Sequence, residues 1–299
     1  MSGGGPRLVV TVGDIHGRFH RVREWVHALE QARGRQADLV LAVGDVEAFA
    51  QAEDHRRKAA KRAMPAEFTE FASGSVRFDR PLYFIGGNNE DFEALHQVQE
   101  GAEIAPGVHY LGRVGVAELG GLRIAYLSGI LAPKQFEKPL ETPRNQETRK
   151  LAGYFRKPEA ESLAEARDVD LMLVHEWPKG LFRRTPNGGR TLRAYRFPWI
   201  GNPIARQLMD QLQPKWLFAG HSHVPFATTL THPGGKLTRV ACLDQAAKPE
   251  GAIFWLEFEG RDAISAGWGS SGVEVWKKGE AFTEALTPET AAVEGPEEG

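Results

Sequence analysis

Seven side chains that can bind metal ions occur in this sequence directly after short apolar runs. They are Asp14, His16, Asp45, Asn88, His175, His221 and His223. Carboxylate and imidazole groups together suit Mn, Fe or Zn, and the carbonyl oxygen of an asparagine can join them. Seven protein ligands exceed the needs of one ion. The set therefore predicts two divalent metal ions that share a bridging carboxylate, with Asp45 as the central candidate.

Two pairs of these residues have i, i+2 spacing: Asp14 with His16, and His221 with His223. Alternate residues of an extended chain project to the same side. We therefore expect each pair to reach a common centre from an extended segment. Glycines beside the ligands allow the tight turns and the close approach that such a cluster needs.

Side chains so far apart in the sequence can meet only if a sheet positions them. Continuous apolar runs indicate strands buried on both faces. They cover residues 8–12, 39–43, 82–85, 123–127, 171–174, 216–219, 239–243 and 252–258. Five of these runs end at the candidate ligands, and open α/β sheets bind ligands beyond the carboxyl ends of their strands.

Helical spacing of apolar residues predicts the elements between the strands. One helix is predicted over 20–34, with Gly34 as its C-cap, another within 155–168 and a third over 202–213. Strands that alternate with helices indicate a layered α/β fold. Strands dominate after about residue 214, which predicts mixed or antiparallel pairing there.

The chain has 299 residues, of which 41% are hydrophobic and 25% are charged, as expected for a globular protein. The apolar runs are too short to span a bilayer, which needs roughly 20 residues. The N-terminus has no signal-peptide pattern, and Cys242 is the single cysteine, so a cytoplasmic location is expected. We expect residues 1–6 to be flexible.

The net charge of −2 conceals an acidic C-terminus. Residues 279–299 contain six acidic residues and no basic one, so the rest of the chain has 37 basic and 33 acidic residues, a net charge of +4. Such a composition predicts a disordered tail after a domain that spans 7–278.

Polar and basic stretches are candidates for substrate contacts. Residues 130–150 and 179–198 resemble long functional loops, and the basic run at 55–62 is predicted to be helical. Basic side chains can meet phosphates, and aromatic rings can stack on bases. The candidates are Arg183, Arg184, Arg190, Phe136, Tyr154, Phe155 and Tyr195. Each also fits an ordinary solvated face or ordinary packing.

The ordered motifs GDIHG, GDVE, GNNE, VHEW and GHSH resemble the five motifs of the calcineurin-like metallophosphoesterases, over about residues 8 to 260. The resemblance implies a four-layer α/β/β/α sandwich with mixed sheets and two metals between them. It assigns the first metal to Asp14, His16, Asp45 and His223. The second metal falls to Asp45, Asn88, His175 and His221.

A finer resemblance is to the lariat RNA debranching enzymes. It rests on segments such as HYLGRVGV (109–116), GLRIAYLSGI (121–130), HSHVPFA (221–227) and ACLDQ (241–245). It implies that residues 131–157 take the place of the loop that grips branched RNA. Three departures from the family pattern stand out. Asp14 replaces a frequent cysteine, Glu176 turns HDWP into HEWP, and Asn89 replaces the catalytic histidine of GNH.

The resemblance implies metal-assisted phosphodiester hydrolysis by a hydroxide that bridges the two ions, with Asp45 and Asn89 in catalytic positions. Asparagine can donate a hydrogen bond, also to a substrate phosphate, but it cannot supply a proton at neutral pH. Three possibilities stay open: Asn89 only orients phosphate, another acid replaces the histidine, or the protein binds metal and nucleic acid without turnover. The candidate acids are His20, Glu47, Glu90 and Glu176.

The sequence thus predicts a phosphodiesterase for nucleic acid, including branched or 2′,5′-linked RNA. One alternative is a phosphatase or diesterase for small nucleotides or phosphoproteins, and another is a catalytically weak protein that binds metal and RNA. No membrane partner is expected, and the sequence does not indicate the oligomeric state.

Overall fold

Two mixed sheets form the centre of the protein. The structure is a computed structural model that describes residues 7–51, 53, 66–181 and 201–282. One sheet has eight strands in the order β14-β13-β12-β1-β2-β3-β5-β4, and the other has six in the order β10-β11-β9-β8-β7-β6. The strands are β1 (Arg7–Val12), β2 (Leu39–Ala42), β3 (Leu82–Phe84), β4 (Ala102–Ala105), β5 (Val108–Tyr110), β6 (Val114–Leu119), β7 (Leu122–Leu127), β8 (Leu171–Val174), β9 (Trp216–Ala219), β10 (Phe226–Thr231), β11 (Leu237–Cys242), β12 (Ile253–Glu259), β13 (Asp262–Trp268) and β14 (Val273–Lys277).

Helices cover the outer faces of both sheets. They are α1 (Phe19–Arg33), α2 (Phe68–Ala72), α3 (Phe92–His96), α4 (Pro133–Phe136), α5 (Gln146–Ala152), α6 (Lys157–Ala164), α7 (Pro203–Leu212) and α8 (Pro249–Ala252). All the predicted strands and the three helices predicted between them are present. Gly34 closes α1 with φ 64°, as its predicted C-cap role requires.

The alternation of side chains along β1 shows the layers directly. Leu8 and Val10 pack with Val22 and Val26 of α1, whereas Val9 packs with residues of the six-stranded sheet such as Leu173. A third apolar cluster lies between the six-stranded sheet and helices α6 and α7. The α/β/β/α sandwich with mixed sheets is therefore confirmed.

Parallel strands lie in the middle of each sheet, and antiparallel strands lie at the edges. β1, β2, β3 and β5 run parallel, as do β7, β8, β9 and β11. The carboxyl ends of these central strands are the places where the candidate ligands occur. Within the described part of the chain, no helix has the length and apolar character needed to cross a bilayer.

Two predictions of irregular structure are wrong in part. The stretch 130–150 contains α4 and most of α5, because Asn145 caps α5 with its side chain and Pro133 begins α4. Residues 279–282, assigned to the tail, pack on the domain. The Phe282 ring lies 5.5 Å from that of Trp216 and is buried. The predicted helix at 55–62 and residues 1–6 and 283–299 lie outside the described residues.

Candidate metal centre

The candidate ligands converge from both sheets. Asp14 and His16 follow β1, Asp45 follows β2 and Asn88 follows β3, all in the eight-stranded sheet. His175 follows β8, and both His221 and His223 follow β9 of the six-stranded sheet. The two sheets therefore deliver their ligands to one shared edge of the sandwich, as the strand-end pattern predicts.

Asp14, His16 and His223 form one group of potential ligand atoms, all within 4.8 Å of one another. His223 Nε2 lies 2.8 Å from Asp14 Oδ2 and 3.3 Å from His16 Nε2. Asp14 and His16 are buried, and His223 is partly exposed. One cation at this point would meet a carboxylate and two imidazoles.

Asp14, Asp45 and His175 form a second, adjoining group. His175 Nε2 lies 3.4 Å from Asp45 Oδ1 and 3.2 Å from the side-chain oxygen of Asn88. The ring of His221 packs edge-on against that of His175, with 5.0 Å between the ring centroids. The structure thus brings together Asp45, Asn88, His175 and His221, the set that the resemblance assigns to the second metal.

The backbone at these residues differs from the extended geometry that we expected. His16, Asp45, His221 and His223 have φ values of 47°, 46°, 68° and 53°, in the left-handed region that non-glycine residues seldom adopt. Tight left-handed turns, not strand alternation, direct the imidazoles to a common centre. Strained backbone of this kind is concentrated at functional sites.

Two glycines make room for the carboxylates. A Cβ atom on Gly87 would collide with Asp45 Oδ1, and one on Gly220 would collide with Asp14 Oδ1. Neither position can carry a side chain unless the buried carboxylate moves. The sequence predicts that glycines beside the ligands allow the backbone to approach them closely. The structure confirms this prediction at Gly87 and Gly220.

Neighbouring acceptors orient two of the imidazoles. Nδ1 of His16 lies 2.7 Å from Glu47 Oε1, and Nδ1 of His175 lies 2.8 Å from the carbonyl oxygen of Val43. Because carboxylate and carbonyl oxygens only accept hydrogen bonds, each Nδ1 is the donor. In the neutral rings the Nε2 lone pairs then face the site. Lone pairs converging beside two buried carboxylates fit divalent cations.

Burial and neighbouring charges alter the pKa values of the candidate ligands. Burial alone would raise the pKa of Asp45, but the charges of His175 and His16 lower it. Burial alone would lower the pKa of His175, but Asp45 and Asp14 raise it to about 10. Burial and the charge of His175 lower the pKa of His221 to about 4. At neutral pH the metal-free His175 is therefore protonated and His221 is not.

Metal binding is therefore expected to release at least one proton near pH 7, because a cation binds only the neutral imidazole of His175. Between pH 6 and 8 the pH lies below the His175 pKa of about 10. The apparent affinity for Mn²⁺ should then rise by about tenfold per pH unit for each proton released. Calorimetry in two buffers of different ionisation enthalpy measures the proton count.

The exposed His27, at the surface of α1, provides the control for this measurement. A His27→Gln variant should show the same pH dependence of Mn²⁺ affinity as the wild type. An affinity that stays constant from pH 6 to 8 would show that His175 does not exchange its proton for the ion.

The structure separates the four candidate acids that the sequence could not rank. Glu47 accepts from His16, and Glu176 accepts from the backbone of Leu131 and from the Asn202 side chain. Burial raises the pKa of Glu176. The His20 ring is partly exposed and lies 3.1 Å from Glu70. Glu47 and Glu176 thus position other groups, a role that sequence reasoning missed.

Glu90 is the most constrained of the four. Its buried carboxyl group accepts from the backbone N–H groups of Val46, Glu47 and Gly87, at 2.9, 2.8 and 3.1 Å. Burial and the nearby Asp45 charge raise its pKa to about 8, against the effect of those three hydrogen bonds. Glu90 thereby joins the loop that carries Asp45 to the loop that carries Asn88.

The candidate recognition segment, residues 131–157, borders the metal centre. Gly153 is so close to Asn88 that an added Cβ would lie 3.4 Å from the Asn88 Cα. Arg113, whose side chain is partly buried, donates to the carbonyl oxygens of Ala152 and Tyr154, 2.8 and 2.9 Å away. This arginine, which the sequence did not single out, fixes the segment beside the site.

The predicted substrate contacts have different outcomes. Tyr154 is half-buried and adjoins Gly153, so it stays a candidate. Phe155 is only 1% exposed and packs in the core, which makes its proposed stacking on a base wrong. Arg183, Arg184, Arg190 and Tyr195 lie outside the described residues.

A four-layer sandwich that directs imidazole and carboxylate groups to one shared edge of both sheets defines the class of α/β/β/α proteins with a candidate divalent-metal centre. The family model for calcineurin-like phosphoesterases matches residues 8–225. The chain belongs to the calcineurin-like phosphoesterase family, as its motifs predict.

Curated relatives carry the name lariat debranching enzyme, which confirms the finer resemblance. That of Danio rerio is 31% identical over 254 residues, which cover 79% of this chain and 44% of the relative. That of Homo sapiens is 28% identical over 269 residues, covering 84% and 49%. The chain spans about half the length of the curated relatives it matches.

Among solved structures, the protein TT1561 of Thermus thermophilus matches with 13% identity and a TM-score of 0.49, over 88% of this chain and 99% of that one.

Proposed function

We propose that this protein is a phosphodiesterase that depends on two divalent metal ions and acts on nucleic acid, with branched or 2′,5′-linked RNA as its substrate. The observation that carries the proposal is the convergence of candidate ligands from five strand ends. Five of the seven form two adjoining groups, and the other two, Asn88 and His221, contact His175 of the second group. The named relatives, lariat debranching enzymes, support branched RNA as the substrate.

The first ion is assigned to Asp14, His16, Asp45 and His223, and the second to Asp45, Asn88, His175 and His221. The mixture of imidazole, carboxylate and amide donors suits Mn²⁺, Fe²⁺ or Zn²⁺ better than a Ca²⁺ site, which uses oxygen ligands. When bound, two such ions supply a hydroxide nucleophile at neutral pH and neutralise charge on the phosphoryl oxygens.

Side chains around the ligands prepare the site for this reaction. Glu47 and the Val43 carbonyl group fix the rings of His16 and His175, so their Nε2 atoms stay directed into the site. Asn89 has no proton to give to a leaving oxygen at neutral pH. We therefore expect faster hydrolysis of esters with acidic leaving groups than of esters with alkoxide leaving groups.

Exposed cations on the segment that borders the metal centre support a polyanionic substrate. Segment 131–157 exposes Lys134, Lys138, Arg144 and Lys150, none of which has an ion-pair partner among the described residues. Unpaired cations on this segment favour a nucleic-acid backbone as the substrate, because each can neutralise a phosphate.

Replacement of these four cations by alanine is expected to weaken RNA binding and its salt dependence. Each lost contact with a single strand lowers the slope of log K against log salt by about 0.7, so the total loss is about 3. Titrating a fluorescent branched RNA at several salt concentrations measures the slope. Lys236→Ala, on the β10–β11 turn, is the matched control, and an unchanged slope in the fourfold variant would place the RNA elsewhere.

The experiment that tests the proposed function uses bis-(p-nitrophenyl) phosphate. Nitrophenolate leaves without a proton, so the assay isolates the metal centre from the missing histidine. We expect turnover after Mn²⁺ loading and none in a chelated sample, followed by cleavage of branched RNA in preference to linear RNA.

Other outcomes of this experiment identify the alternatives. A preference for monoesters or small nucleotides would favour a phosphatase or a nucleotide diesterase. Two bound ions without turnover of any ester would indicate a protein that only binds metal and RNA, an alternative raised by Asn89.

A further inference from the structure

Asn89 makes two contacts with one carboxylate. Its backbone N–H group donates to Asp45 Oδ1 and its side-chain amide donates to Asp45 Oδ2, both at 2.7 Å. Both oxygens of Asp45 are thus held by a single residue of the neighbouring loop. Because a carboxylate at neutral pH only accepts, the NH₂ group of Asn89 must be the part that faces it.

Asp45 needs such external support. Its backbone lies in the left-handed region, its side chain is only 3% exposed, and Gly87 leaves no spare space behind Oδ1. Oδ1 faces His175 Nε2 at 3.4 Å, which leaves Oδ2 as the oxygen that the Asn89 amide fixes. Asp14 belongs to both groups of potential ligand atoms and Asp45 to the second. In the proposed assignment Asp45 is the ligand that the two ions share, so a rotation of its carboxylate would alter both metal sites.

We infer that Asn89 is a positioning residue that fixes the orientation of the Asp45 carboxylate for metal binding. It does not replace the proton donor of the family motif. The inference rests on the proposed function, since it assigns Asp45 as the shared metal ligand. It predicts that loss of the Asn89 amide impairs metal binding before it impairs substrate binding.

The test measures Mn²⁺ binding without substrate. Asn89→Ala removes the amide, and Asn89→Leu removes the donor but keeps the side-chain size. Electron paramagnetic resonance follows the spin-coupled Mn²⁺ pair during a titration of the chelator-stripped protein, residues 1–299. We expect half-maximal pair formation to require about 10–100-fold more Mn²⁺ in both variants, the usual effect of removing a partner of a metal ligand.

A second readout excludes a role in substrate binding. At saturating Mn²⁺, the KM for bis-(p-nitrophenyl) phosphate should stay within about twofold of the wild type. Gln31→Ala is the matched control, because it removes another exposed amide, hydrogen-bonded to His27 at the far end of α1. Both variants keep the backbone N–H donor to Asp45 Oδ1 and lose only the side-chain donor to Oδ2. Thermal unfolding in chelator should therefore stay cooperative, with Tm lowered by no more than about 5 °C.

Unchanged Mn²⁺ affinity in both variants, or a raised KM with normal affinity, would overturn the inference and would leave the proposed function intact. A wild type that binds the Mn²⁺ pair but hydrolyses no ester would overturn the proposed function. The effect of Asn89 on pair formation would still be measurable in that case.

Discussion

An Asp45→Ala variant is expected to lose metal-dependent hydrolysis of bis-(p-nitrophenyl) phosphate by about 10³-fold or more. Asp45 is buried within the second group of potential ligands, 3.4 Å from His175 Nε2. A metal ion contributes several kcal/mol of transition-state stabilisation, and each 1.4 kcal/mol corresponds to a factor of about ten in rate. Loss of the shared ligand removes at least one ion.

Initial rates over a range of Mn²⁺ concentrations, together with the bound metal content, measure this effect. The control is Asp79→Ala, which removes an exposed aspartate paired with Arg23 at the opposite end of β3. We expect this control to keep wild-type activity and metal content. If Asp45→Ala retained its metal and more than a tenth of its activity, Asp45 would not be the shared ligand.

The strand ends explain why so much of the candidate site could be predicted from the sequence. Strands buried on both faces require continuous apolar runs, and the change to polar residues marks the place where each strand leaves the core. Asp14, Asp45, Asn88 and His175 each follow such a change. Their convergence then follows from the rule that ligands bind at the carboxyl ends of strands.

The local geometry could not be predicted in the same way. The left-handed backbone at His16 and His223 depends on contacts between distant loops, such as the hydrogen bond from His16 N to the carbonyl oxygen of Asp45. Sequence spacing suggested extended segments because it contains no information about those contacts. Short elements such as α3 and β5 were missed because five or three residues give too little periodicity.

The acidic residues around the site show a second limit of prediction from the sequence. A glutamate beside a ligand motif is compatible with general acid chemistry or with scaffolding, and only its hydrogen-bond partners distinguish the two. For Glu90, a signal was present, since a buried acid next to Asn88 and Asn89 needs donors. Two of the three donors are backbone N–H groups of another loop, which no residue type reveals.

A Glu90→Ala variant is therefore expected to lose stability as well as metal binding. The substitution leaves three buried backbone N–H groups without their acceptor. An unsatisfied buried polar group costs about 1–3 kcal/mol, and water entering the vacated space offsets part of the total, so we expect a loss of about 3–5 kcal/mol. For a domain of this size, that loss lowers Tm by roughly 10 °C.

Thermal unfolding in chelator measures the Tm without any contribution from bound metal, so it reports the scaffolding role alone. A Mn²⁺ titration of the same variant then measures the change in metal affinity. Glu103→Ala is a close control, because the Glu103 carboxylate also accepts from a backbone N–H group, that of Gly107, but at the surface. It should lower Tm by no more than about 3 °C, since solvent can replace the lost acceptor. Equal Tm values for the two variants would mean that Glu90 does not join the Asp45 and Asn88 loops.

A general-acid role of Glu90 without scaffolding would instead give a different result. The Glu90→Ala variant would then have lower turnover, with unchanged Tm and unchanged Mn²⁺ affinity.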